Sequence, residues 1–130
     1  MARNVLVIDD QPLVREVVQN MLEFRGYAVL LAEDGPRGLE LSINRPVDVA
    51  LVDVDMPRMD GFEVCRALRG QCDAGGRPLV IWLMTGVATP ELAERAQAAG
   101  AAGILPKPFT TDELVSRIEG RPCVTQRSDA

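Results

Sequence analysis

The chain has 130 residues, a formal net charge of −5 and ordinary hydrophobic content with few aromatics. That length suits one domain, with a core of aliphatic side chains and alanine. The acidic balance argues against a nucleic-acid surface of its own, which needs clustered Lys and Arg. No apolar run is long enough to cross a bilayer and no basic-then-apolar start resembles a signal peptide, so a cytoplasmic location is expected. Cys65, Cys72 and Cys123 are odd in number and lack CxxC spacing, which favours reduced thiols over a metal or redox centre. The absence of histidine excludes a histidine phosphocarrier and a His-based hydrolase.

The first strand is predicted at Asn4–Ile8, running into Asp9-Asp10. From Pro12 to Arg25, Leu13, Val17 and Met21 are spaced by four with Val14, Val18 and Leu22 beside them. This is a helix with a broad apolar face, started by Pro12 and stopped by Gly26. Tyr27 to Ala32 reads as a strand, Pro36 to Asn44 as a short helix, and Val47 to Val52 as a strand running into Asp53. A helix follows from Gly61 to Arg69, then a Gly-rich loop from Gly70 to Arg77. Leu79 to Met84 runs into Thr85, and Thr89-Pro90 opens a helix to Ala99 as N-cap and first helical residue. Gly103 to Pro106 leads into Lys107-Pro108, and a last helix starts near Thr111 and fades at Gly120. Five βα units with nearly continuous apolar strands predict a flavodoxin-like doubly wound α/β fold, a five-stranded parallel sheet with five helices. The domain is expected to span 1–119, with 120–130 a polar tail or linker stump.

In an open parallel sheet, ligands bind outside the carboxyl ends of the strands. Asp9 with Asp10, then Asp53, Thr85 and Lys107 all fall at such ends and should converge. Paired carboxylates repel unless a cation relieves them, and a hard divalent ion needs only one or two of them. An Asp oxygen beside a metal, a hydroxyl and an ammonium suits phosphoryl transfer, in which a carboxylate needs no general base. Asp9-Asp10 could instead only favour a helix N-terminus, Asp53 only begin a turn, and Lys107 only be a solvated loop residue.

Asp9-Asp10, the stretch Asp53-Val54-Asp55-Met56-Pro57-Arg58-Met59-Asp60-Gly61, Thr85, and Lys107-Pro108-Phe109-Thr110 together resemble the receiver domain of bacterial two-component response regulators, over about Asn4 to Glu119. The resemblance implies that Asp53 accepts a phosphoryl group from a histidine kinase or histidine phosphotransfer protein, with Mg²⁺ or Mn²⁺ as cofactor. By the same resemblance, Asp10 ligates the metal directly, Asp9 acts through water or by orienting, and Asp53 and the backbone carbonyl of Asp55 complete the set. Thr85 and Lys107 would contact the phosphoryl group, and the Lys107-Pro108 bond is a candidate cis peptide. Catalysis would be limited to self-phosphorylation from small donors and autodephosphorylation. An output partner or effector domain would read the switch, near the fourth and fifth helices.

Two departures stand out. The family commonly has an aromatic switch residue three before the lysine, where this chain has Ile104, and Asp55 adds a carboxylate. Glu113 and Arg117 read as an exposed intrahelical pair. They also match the paired helices of the DNA-binding winged-helix subclass, which leaves a phosphorylation-dependent homodimer among the expectations. That subclass carries acids before the fifth strand, where this chain has Ala101-Ala102-Gly103.

Asp53-Val54-Asp55 also resembles the nucleophile motif of haloacid-dehalogenase-like phosphatases. Those enzymes place this motif on the first strand and the acidic pair last, the reverse of the order here, and the chain has no room for a cap. A receiver that no longer takes phosphate is the other alternative, and such domains usually lose an acid or the lysine.

Overall fold

The structure, a computed structural model, describes residues 3–120. The expected tail therefore lies outside the described residues beyond Gly120, as does Cys123. Five strands and five helices alternate: β1 Asn4–Ile8, α1 Pro12–Phe24, β2 Ala28–Ala32, α2 Gly35–Asn44, β3 Val49–Asp53, α3 Gly61–Ala74, β4 Val80–Thr85, α4 Pro90–Ala98, β5 Gly103–Pro106 and α5 Thr111–Glu119. The strands form one parallel sheet in the order β2-β1-β3-β4-β5. This is the flavodoxin-like doubly wound fold, with β3 in the middle.

The period-two alternation of strand side chains divides the core in two. Leu6, Ile8, Ala50, Val52, Ile81 and Leu83 face one cluster, which Phe62, Val64, Cys65 and Leu68 of α3 and Ala96 of α4 complete. Val5, Val7, Val49, Leu51, Met84 and Leu105 face the other, closed by Val18 and Leu22 of α1 and by Leu114, Val115 and Ile118 of α5. Residues on both faces of β3 are wholly buried, which is why it reads as an unbroken apolar run rather than an alternating one.

Local signals set most element starts. Pro12 and Pro90 stand at the first turns of α1 and α4, and Thr89 caps α4 through its hydroxyl to the N–H of Leu92 (3.2 Å). Asp60 and Thr110 form capping boxes with Glu63 and Glu113 on α3 and α5.

Expected and observed boundaries agree within two residues except at the end of α3. The helix expected to end at Arg69 continues to Ala74, and Gly70 lies inside it with open space around its Cα. Buried Cys65, Leu68 and Cys72 continue the three- and four-residue spacing past the glycine. Their burial outweighs the roughly 1 kcal/mol that an exposed helical glycine costs. Among the described residues, no helix is long and apolar enough to cross a membrane.

Candidate functional site at the carboxyl ends of the strands

Asp9 follows β1, Asp53 ends β3, Thr85 ends β4 and Lys107 follows β5. The register aligns these ends: Ile8 pairs with Val52, Asp53 with Met84, and Thr85 with Pro106. Lys107 donates through its backbone N–H to the carbonyl of Thr85 (2.8 Å), and its bond to Pro108 is cis, as the sequence suggested. Its Nζ donates to Asp53 Oδ1 (3.0 Å) and Asp9 Oδ2 (3.2 Å).

Asp9 is fully buried and Asp53 nearly so, while Asp10 is half-buried. One carboxylate oxygen from each of the three lies within 4.8 Å of the others. Burial, only partly offset by the hydrogen bond from Lys107, pushes the Asp53 carboxyl up to about 6, and the charges of Asp9 and Asp10 push the same way. Burial works against the charge of Lys107, but its hydrogen bond to Asp53 and the charge of Asp9 outweigh that and raise its pKa. One ammonium thus bonds two acids of a cluster of three.

The bonding of Asp10 bears on whether these acids suit a divalent ion. Its Oδ1 is buried and has no hydrogen-bond partner among the described residues. A buried carboxylate oxygen without a donor is costly, and a cation would satisfy it. Three carboxylate oxygens suit a hard ion such as Mg²⁺ or Mn²⁺, so the residues fit one.

The segment after β3 folds back over the site. Val54 donates to the carbonyl of Met84 (2.9 Å), and the N–H of Gly61 closes the loop on the carbonyl of Val54 (3.0 Å). A Cβ on Gly61 would stand 2.5 Å from the carbonyl oxygen of Asp53 and 2.7 Å from Val54 Cα, so only glycine permits this approach. Arg58, at positive φ, reaches Asp34 Oδ2 (3.1 Å) and ties the loop to the start of α2. Asp55 is exposed at the loop's base.

Thr85 is buried at the strand end, but its hydroxyl is engaged with its own loop. It accepts from the N–H of Val87 (3.1 Å) and donates to that residue's carbonyl (3.3 Å). Ile104 is half-buried and packs against the core cluster of α3 and α4. Glu113 and Arg117 do not pair as expected. The Glu113 carboxylate accepts from the N–H of Thr110 (2.7 Å), and the Arg117 guanidinium lies 5.5 Å from the ring centroid of Trp82. Gly103 leaves the room for that indole, since a Cβ there would meet the ring at 2.8 Å.

Two features escaped the sequence reading. Arg15 donates through Nη1 to the carbonyl of Asp9 (2.7 Å), a bond that only the folded turn creates. The apolar face of α1 is also divided: Val18 and Leu22 are buried, whereas Leu13 is 70% exposed and Val17 43%. Leu13, Val14, Val17 and Met21, with Pro108 and Phe109, wall a groove of about 490 Å³ that also touches Lys107. The signal was the breadth of the face, wider than one contact with the sheet can cover.

Comparison with known proteins agrees with this arrangement. Residues 5–119 match the family described as response regulator receiver domain. The response regulator MprA of Mycobacterium tuberculosis (strain H37Rv) is 41% identical over 132 residues, covering 100% of this chain and 55% of that protein. The chain thus spans about half the length of the curated relatives it matches. The chemotaxis protein CheY4 of Vibrio cholerae, crystallised at low pH, superimposes with a TM-score of 0.86 at 33% identity, covering 94% of this chain and 100% of that one. A co-crystal of the Saccharomyces cerevisiae histidine phosphotransfer protein Ypd1 with the receiver domain of its downstream response regulator Ssk1 matches with a TM-score of 0.84 at 19% identity, over 95% of this chain and 91% of that one, and bears on the fold alone. The chain belongs to the response regulator receiver domain family of two-component systems. That family is a signalling module rather than a conventional enzyme.

Proposed function

We infer that this domain is a phospho-accepting switch with Asp53 as the acceptor. The observation that carries this reading is Lys107 Nζ, held between Asp53 Oδ1 and Asp9 Oδ2 at the strand ends. An oxygen of the Asp53 carboxylate attacks the phosphorus of a phosphohistidine on the donor. The P–N bond breaks, the imidazole, protonated from solvent on its other ring nitrogen, leaves as the neutral ring, and an acyl phosphate forms on Asp53. Lys107 then pairs with a phosphoryl oxygen in place of the carboxylate.

Asp10 and Asp53 would hold Mg²⁺ or Mn²⁺, with Asp9 orienting and the Asp55 carbonyl contributing. Such an ion, when bound, neutralises charge on the phosphoryl oxygens. Thr85 sits where its hydroxyl can exchange the contacts with Val87 for one to the phosphoryl group, moving the loop that follows. A ligand or modification shifts such an equilibrium only through differential contacts, and this exchange supplies one. Ile104 lies on β5 opposite Leu83 of β4 and is too small and too branched to relay the movement by a rotamer swing.

The donor, a histidine kinase or histidine phosphotransfer protein, must bring its histidine over Asp53. The α1 groove beside Lys107 offers it an apolar foothold. Reading by an output partner or effector domain falls to the side of α4 and α5. A homodimer paired through charges there has less to work with, because Glu113 and Arg117 are engaged within the chain. In this reading the receiver occupies 1–119, 120–130 is a tail or linker, and the domain works in the cytoplasm.

Incubation with phosphoramidate and Mg²⁺ should add the mass of one phosphoryl group, stable in acid and labile in base. Asp53→Asn should abolish the addition, and labelling that survives this substitution would move the acceptor elsewhere. Catalytic turnover of a small phosphate ester would favour the phosphatase alternative.

A further inference from the structure

The start of α1 carries a cation that the phosphoryl chemistry does not use. Arg15 is half-buried in the first turns of α1, and its Nη1 donates 2.7 Å to the carbonyl oxygen of Asp9. With that bond, every polar atom of Asp9 has a partner. Its N–H donates to the carbonyl of Ala32 (3.1 Å), Oδ1 accepts from the N–H of Gln11 (3.0 Å), and Oδ2 accepts from Lys107 (3.2 Å).

Asp10 is the opposite case. Its Oδ1 is buried with no partner among the described residues, so that oxygen has no bond to aim it. Its direction is set by the backbone that bears it. The carbonyl of Asp9 and the N–H of Asp10 belong to one planar peptide unit that also bears Asp10 Cα, so holding that oxygen fixes where the Asp10 side chain starts and leaves its direction to the single rotation about N–Cα. Arg15 is the side chain that holds this unit.

We propose that Arg15 is a positioning residue for divalent-cation binding, clamping the Asp9–Asp10 peptide so that the Asp10 carboxylate is held toward Asp9 and Asp53. This rests on reading the three acids as the cation site. The planar, permanently charged guanidinium suits a clamp on a single carbonyl, and Lys in its place would keep the charge with poorer geometry. Electrostatics alone gives the opposite sign. A cation near the acids repels Mg²⁺, and its removal would tighten binding. Positioning requires that its removal weaken binding, so the direction of the effect separates the two.

The test is calorimetric titration of the full chain with Mg²⁺ at fixed ionic strength, comparing wild type, Arg15→Met and Arg15→Lys, with folding checked by thermal melts in EDTA. Arg15→Met should bind Mg²⁺ roughly tenfold more weakly, the scale of losses at groups that orient metal ligands. Arg15→Lys should recover part of the loss, and at saturating Mg²⁺ both should label with phosphoramidate as fully as wild type. Binding in Arg15→Met equal to or tighter than wild type would overturn the proposal. Should that variant not fold, Arg15→Lys decides alone, and wild-type affinity there would overturn it. Wild-type protein that binds no Mg²⁺ would instead overturn the cation-site reading itself.

Discussion

Lys107 and Asp53 lie 54 residues apart in sequence, yet their side chains meet at 3.0 Å at the centre of the site, and the same Nζ reaches Asp9 at 3.2 Å. The ammonium therefore does, in the metal-free protein, part of what a bound cation would do. It offsets the repulsion of buried acids, and it stands where a phosphoryl group would arrive.

Removing that ammonium should expose the repulsion. Lys107→Met is expected to destabilise the metal-free protein by about 1–3 kcal/mol, less than for a fully buried pair because Lys107 is partly solvated. Mg²⁺ should restore much of the loss, since it no longer competes with the lysine for the acids. Urea melts in EDTA and in Mg²⁺ check this, and equal stability of variant and wild type in EDTA would count against it.

The raised pKa of Asp53 makes a prediction about pH. Its carboxyl moves from the ordinary 3.8 to about 6, chiefly through burial. Because the folded state holds this proton more tightly than the unfolded state, the stabilising contribution is complete below 3.8 and is lost as pH rises through about 6. The metal-free protein should lose on the order of 2–3 kcal/mol over that window relative to Asp53→Asn, which has nothing to titrate there. Melts of both proteins across pH 4–7 in EDTA give the difference. In saturating Mg²⁺, which favours the carboxylate, the difference should flatten.

Asp10 and Asp55 should differ in how much they matter. Asp10→Ala removes a half-buried carboxylate of the cluster and is expected to weaken Mg²⁺ binding strongly. Asp55→Asn changes an exposed group and is expected to weaken it only modestly while altering the lifetime of the phosphoryl group. Mg²⁺ titration and the decay of labelled protein measure both effects. Unchanged values for Asp55→Asn would leave that side chain an ordinary loop residue.

Gly61→Ala places a Cβ 2.5 Å from the carbonyl oxygen of Asp53, with backbone rather than a flexible side chain in the way. The loop must shift, at a cost of about 1–3 kcal/mol, and Asp53 should label more slowly with phosphoramidate. Denaturant melts and labelling rates test the two parts separately.

Ile104→Ala should leave labelling of Asp53 largely intact and cost about 1–3 kcal/mol from lost packing, given that the side chain is only half-buried. Structures with and without beryllofluoride should show Thr85 moving toward Asp53 while Ile104 keeps its rotamer. A rotamer flip at Ile104 would make that side chain the switch.

Much of this was legible in the sequence because parallel strands announce themselves as apolar runs and their carboxyl ends are adjacent by topology. Asp9, Asp53, Thr85 and Lys107 could therefore be gathered from the amino-acid sequence alone. What was not legible depends on packing between elements. Gly70 reads as a breaker until the burial of Cys72 shows that the helix continues. Arg15 reads as one more helical cation until the turn brings the Asp9 carbonyl to it. Thr85 could be placed at the site, but the direction of its hydroxyl, toward Val87, is a property of the folded loop. Arg117 reads as a partner for Glu113 because the helical spacing allows it, whereas Trp82 and the bare Gly103 offer it a ring to cover.

The central claim is that the phosphoryl group resides on Asp53. Borohydride reduces the acyl phosphate of an aspartate to homoserine, which marks the site permanently. Protein labelled with phosphoramidate and Mg²⁺, then reduced and mapped by peptide mass spectrometry, should carry homoserine at position 53 and nowhere else. Homoserine at another position, or phosphorylated protein that yields none, would contradict the account.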